Sequence, residues 1–73
     1  ILYPNPTTGS VTIRLANKSE IVKTIFITDV SGRIVYRNIT NSTTIDIGKL
    51  IKGMYFYTIE TTKNNYTGKL IKQ

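Results

Sequence analysis

The sequence predicts an all-β fold: a sandwich of six or seven short antiparallel strands. Three observations predict it. Ile, Thr, Tyr, Val and Phe supply 35 of the 73 residues, against one Ala, one Met, one Gln and two Glu, so strand formers dominate and good helix formers are scarce. Apolar and polar residues alternate over short segments. Turn signals separate those segments at short, even intervals, the spacing of a sandwich or, as a second choice, a small barrel.

The elements follow in chain order. Leu2-Tyr3 is a short apolar pair, and Pro4-Asn5-Pro6 behind it is held extended and lacks ladder donors, which suits an edge. Thr7-Thr8-Gly9 turns. Ser10 to Leu15 alternates, with Val11, Ile13 and Leu15 on one face and Thr12 and Arg14 on the other. Residues 16–19 form a polar loop. Ile21 to Asp29 is a long strand, and Ile25-Phe26-Ile27 reads as buried on both faces, as a central strand is. Asp29-Val30-Ser31-Gly32 reads as a tight hairpin, with Asp at the first turn position and Gly in the left-handed conformation that closes a three-residue loop.

Arg33 to Asn38 is the return strand, and residues 38–42 form a loop. Thr43 to Ile47 alternates through Ile45 and Ile47. The stretch from Gly48 to Gly53 reads as one helical turn capped by Gly53. Met54 to Thr61 is the most strand-like segment, residues 62–65 turn, and Tyr66 to Lys72 closes the chain. The expected core contains Val11, Ile13, Ile25, Ile27, Ile45 and Tyr55.

Composition removes most chemistry. The chain has no Cys, His or Trp, which excludes disulfides, thiolates, imidazole bases and thiolate or imidazole metal sites. Its four carboxylates, Glu20, Asp29, Asp46 and Glu60, are scattered, and no nucleophile–base pair is visible, so no enzymatic activity, metal or other cofactor is predicted. Asp29 and Asp46 lie beside glycine-containing turns. A calcium loop needs several oxygen ligands close in sequence, so both read as turn caps.

The formal charge of +6 comes from cations dispersed along the chain with no basic run, the pattern of solvated outward positions and not of a nucleic-acid partner. No stretch approaches the roughly 18 apolar residues of a transmembrane segment. Four N-glycosylation sequons, at Asn17, Asn38, Asn41 and Asn65, are matches expected by chance in a chain this rich in Asn, Ser and Thr. Tyr55 and Tyr57 share a strand face, where core packing is the expectation and a sugar-stacking platform the alternative. Domains below about 70–80 residues usually carry a staple; lacking one, this domain is expected to be modestly stable, with an edge strand open to weak dimerisation. Residues 1–73 read as one domain, and the start at Ile1 leads to the expectation of a terminal module cut from a longer precursor.

Taken together, the landmarks form a more specific pattern. Tyr3-Pro4-Asn5-Pro6 stands first; Ile25 to Asp29, Gly32-Arg33 and Val35 stand in the middle; Ile45-Asp46-Ile47, Leu50, Gly53-Met54-Tyr55 and Lys69-Leu70-Ile71-Lys72 follow. In this order and spacing the chain closely resembles the type A C-terminal sorting domain of the type IX (Por) secretion system of Bacteroidetes, over essentially its whole length.

The resemblance implies an immunoglobulin-like β-sandwich that serves as an address label and not as an enzyme. Its partners would be the type IX translocon, outer-membrane shuttle components and a sortase-like C-terminal signal peptidase. Attached cargo would pass through the periplasm to the cell surface or the medium. Pro4, Asn5 and Pro6 match the family's opening motif, and Asp29, Gly32 and Arg33 its central hairpin. Gly53, Tyr55, Lys69, Leu70, Ile71 and Lys72 match the elements expected to be recognised by the translocon. Gly48 departs from the pattern, standing where many members have a Ser able to cap the next turn, and so does the terminal Gln73.

A machinery that accepts many cargoes should read a shared folded surface. A last strand with an unpaired edge would suit it, with Lys69 and Lys72 adding charge. The alternative is a non-catalytic adhesive or carbohydrate-binding sandwich using Tyr55 and Tyr57.

Overall fold

In the computed structural model, which describes residues 2–3, 6–15, 19–39 and 43–73, seven strands form two sheets. They are β1 (Leu2–Tyr3), β2 (Ser10–Ile13), β3 (Val22–Thr28), β4 (Ile34–Ile39), β5 (Thr44–Asp46), β6 (Gly53–Thr61) and β7 (Asn65–Lys72). The smaller sheet has the order β1-β2-β5 and the larger β4-β3-β6-β7, with antiparallel pairing throughout. Pro4, Asn5 and residues 16–18 and 40–42, which belong to the loops read at 16–19 and 38–42, lie outside the described residues.

Alternation explains the layering. Because side chains change face at every residue, Val11, Ile13 and Ile45 of the small sheet meet Val22, Ile25, Ile27, Tyr55, Tyr57, Ile59 and Leu70 of the large one, joined by Leu2 and Ile47. All six expected core residues are buried. Each fully buried aliphatic side chain contributes roughly 1.5–3 kcal/mol, so this layer outweighs any surface pair. Central β3 is narrower in its burial than expected: Ile25 and Ile27 face the core, but Phe26 is half-buried on the outer face.

The hairpin after β3 forms as read. The Asp29 carboxylate accepts the Ser31 N–H at 2.9 Å, the Ser31 hydroxyl at 2.6 Å and the Arg33 N–H at 3.0 Å. The Gly32 N–H reaches the Asp29 carbonyl at 3.0 Å, and Gly32 takes φ 91°. Arg33 Nε stands 3.3 Å from the carboxylate but is largely exposed, where such pairs contribute under about 1 kcal/mol. Asp29 therefore acts through the turn. A register shift between Ile27 and Thr28 lets both Val35 and Tyr36 pack against the core edge while Ile34 faces outward.

The helical turn expected at residues 48–53 is absent. Asp46 Oδ1 accepts the Gly48 N–H at 2.9 Å, and the Leu50 N–H closes a single turn on the Ile47 carbonyl at 3.0 Å. Asp46 thus fixes the start of that turn from two residues upstream. Gly53 is not a helix cap but the first residue of β6, at φ 153°, a conformation that favours glycine.

At the other end of the molecule a buried polar cluster ties the entry of β3 to the β6–β7 turn. Glu20 is buried and accepts hydrogen bonds from the Thr61 hydroxyl, from Asn64 Nδ2 at 3.1 Å and from the Tyr66 hydroxyl at 2.9 Å. Those donors stabilise the charged form, holding the carboxyl below its ordinary value despite desolvation. Ile21 and Thr62 add a reciprocal pair of bonds at 3.0 and 3.2 Å.

Candidate functional site

The residues expected to carry recognition converge on β7 and the start of β6. In β7, Tyr66, Gly68, Leu70 and Lys72 face the core side, and Asn65, Thr67, Lys69 and Ile71 face outward. Register places Lys69 opposite Phe56, Ile71 opposite Met54, Leu70 opposite Tyr55 and Lys72 opposite Gly53.

This alternation divides the six residues expected to carry recognition into two groups. Leu70 is fully buried, Tyr55 is buried with its hydroxyl donating to the Ile51 carbonyl, and Lys72 is buried with Nζ 3.2 Å from the Gln73 carbonyl. Gly53 supplies the backbone conformation that starts β6. Lys69 is exposed and Ile71 half-buried, both on the outer face. The two lysines are therefore not equivalent: Lys69 stands exposed on the outer face, whereas Lys72 is buried on the core side.

The edge of β7 also differs from expectation. Thr7 and Lys72 form a parallel bridge. The Thr7 N–H donates to the Ile71 carbonyl at 2.9 Å, and the Gln73 N–H donates to the Thr7 carbonyl at 2.7 Å. Thr7 is itself buried and fixed by its hydroxyl, which donates to the Ser10 carbonyl at 3.0 Å. The last residues of the chain are thus covered at their edge, because buried backbone groups must find partners.

Three residues that fix β7 along its length were not singled out by sequence reasoning. Thr7 bridges to a residue at the far end of the chain, and no local pattern marks it. Glu20 finds its partners 41 to 46 positions away. Gly68 did carry a signal, since an isolated glycine inside a strand marks a close approach. A Cβ at Gly68 would stand 2.5 Å from the Tyr57 hydroxyl oxygen and 2.6 Å from Cζ, so the bare backbone makes room for the ring. Tyr57, like Tyr55, is buried, and the sugar-stacking alternative loses its platform.

The outward-facing end of the terminal strand is thus held by an early segment of the same chain. A family model for the secretion system C-terminal sorting domain matches residues 1–73. The chain belongs to the secretion system C-terminal sorting domain family. No curated protein matches it.

As a sorting domain, it is the C-terminal signal of type IX secretion. Membership implies a non-catalytic role, interaction with the type IX machinery, and a secreted or cell-surface protein exported through the outer membrane. Among the described residues of the sorting domain, no helix is long and apolar enough to cross a membrane.

Proposed function

We propose that residues 1–73 form one sorting domain of a longer exported protein, which directs its attached cargo from the periplasm through the type IX translocon. Outer-membrane shuttle components receive the cargo at the surface, and a sortase-like peptidase removes the domain there. The machinery reads the outward face of the terminal strand, through Lys69 and Ile71. Gly53, Tyr55, Leu70 and Lys72 act by setting the position of that strand, and the hairpin of Asp29, Gly32 and Arg33 shapes the domain around it, while Pro4, Asn5 and Pro6 carry the opening motif of the family. The observation that carries this reading is the family match over the whole chain, supported by the place of β7 at the sheet edge.

The test is a fusion of residues 1–73 behind a periplasmic reporter in a host with this secretion system. The intact domain should bring the reporter to the cell surface. Removing Lys69 to Gln73 should leave it in the periplasm. Surface delivery that persists after the deletion overturns the reading.

A further inference from the structure

The outer faces of the two sheets differ in chemistry. On the small sheet, register sets Tyr3, Thr12 and Thr44 in one row and Ser10 beside Asp46 in the next. The paired outward positions there hold hydroxyls and one carboxylate, with no cation and no aliphatic side chain.

The large sheet is the reverse. One row across its outer face runs Ile34, Thr28, Phe56 and Lys69, and the neighbouring row sets Met54 beside Ile71. Met54, Phe56 and Ile34 remain 41%, 44% and 53% exposed. The row on the other side places Arg37 directly opposite the half-buried Phe26. These positions are contiguous, and contiguous apolar surface on a sheet face marks an interaction site where single exposed residues do not. Glu60 is the one acidic residue at the paired outward positions, in the row farthest from Met54, opposite Asn65.

We infer that this face, from Phe26 and Arg37 to Met54 and Ile71, docks on a protein surface of the secretion machinery that is apolar at its centre and carboxylate-rich at its rim. The inference rests on the sorting role proposed above and names the chemistry of the partner. Charge complementarity selects that partner. Lys69 and Arg37 flank the apolar residues on a chain of net charge +6, so an acidic rim gains attraction and orientation. A second copy of this domain would bring like charges together. Anionic membranes favour clusters of about four to eight Lys or Arg. Here two cations stand apart on a face where Thr28, Thr58 and Thr67 are interspersed with Phe, Met and Ile, and aromatic, Met and Arg side chains are those that protein interfaces favour.

Three variants of the reporter fusion test the inference. The first is Met54→Thr with Phe56→Thr, which keeps strand propensity; the second is Arg37→Gln with Lys69→Gln; the third is Arg37→Glu with Lys69→Glu. Circular dichroism and thermal unfolding confirm that each stays folded. Surface reporter should fall at least tenfold in the first and third and less in the second, while Thr12→Ser with Thr44→Ser on the opposite face leaves export unchanged. Equal export by intact domain and all three variants overturns the docking face and leaves the sorting role standing. Failure of the intact domain itself to export removes the sorting role, and the inference with it.

Two further measurements use the purified domain. Sedimentation showing a dimer that Met54→Thr with Phe56→Thr dissociates would assign the face to self-association and overturn the inference. Binding to phosphatidylglycerol vesicles that the same variant abolishes would assign it to lipid, and overturn it equally.

Discussion

Thr7 and Lys72 lie side by side in parallel, where the segment before β2 adds to the edge of the large sheet. Through its bonds to Ile71 and Gln73, Thr7 couples the beginning of the sorting domain to the strand proposed to be read. Thr7→Pro removes the donor while leaving the carbonyl. It should lower stability by about 1–3 kcal/mol and speed hydrogen exchange at Gln73. An unchanged urea midpoint together with unchanged exchange would remove the coupling.

Gly68 gives a prediction in which the sign is diagnostic. Ala in place of Gly within a strand usually adds roughly 0.5–1 kcal/mol. Here the new Cβ would meet the Tyr57 ring, so Gly68→Ala should instead lose about 1–3 kcal/mol. The penalty should vanish in a Tyr57→Leu background, and a double-mutant cycle in urea measures that coupling. A gain in stability from Gly68→Ala alone would refute the close approach.

Gly53 and Gly32 both hold positive φ, at 153° and 91°. A side chain in such a conformation costs about 1–3 kcal/mol. For a domain of this size each kcal/mol moves Tm by roughly 4–8 °C. Gly53→Ala should therefore lower Tm clearly although a Cβ there would meet no neighbouring atom. An unaltered Tm would show that the backbone relaxes freely at that point.

Lys69→Ala and Lys72→Ala should separate. An exposed cation removed from the outer face should change stability by no more than about 0.5 kcal/mol. Lys72 buries its aliphatic stem, and losing that packing should lower stability by roughly 1–2 kcal/mol. Denaturant midpoints decide it. Only Lys69 is then a clean probe of export, because a defect in the Lys72 variant would mix recognition with folding.

Acid should weaken the domain through two carboxyls. Glu20 is held below its ordinary value of 4.5, first by the Thr61 hydroxyl, against desolvation, and then by Tyr66 and Asn64. Asp29 is held below 3.8, first by the Ser31 hydroxyl. A lowered folded-state pKa contributes stability that is complete above the unfolded value and is lost as pH falls through the folded one. The urea midpoint should be level near neutrality and decline below about pH 4.5. Glu20→Gln should start lower and decline less steeply. The alkaline side has the opposite sign: Tyr66, raised first by its bond to Glu20, and Tyr57, raised by desolvation, contribute stability below pH 10.0 that is lost above it. A wild-type midpoint that stays flat from pH 7 to 3 would contradict the carboxyl assignments.

The sequence by itself determined what depends on near neighbours. Alternation through Val11 and Ile13, Ile25 and Ile27, and Tyr55 to Ile59 marks strands and their buried faces, since side-chain direction changes at each residue whatever the partner. Asp29 and Gly32 mark the hairpin because its bonds close within four residues. The same local reasoning misplaced the turn before β6, where the Asp46 carboxylate competes for the Gly48 N–H and Gly53 enters the strand. Tertiary structure alone decided which residues meet across the chain: Thr7 with the last strand, Tyr57 over Gly68, and Glu20 with Thr61, Asn64 and Tyr66. It also decided that Lys69 faces solvent while Lys72 does not. Both lysines belong to one short basic motif, but they fall on opposite sides of the pleat. Which side is the core depends on the second sheet, and no window of local sequence contains it.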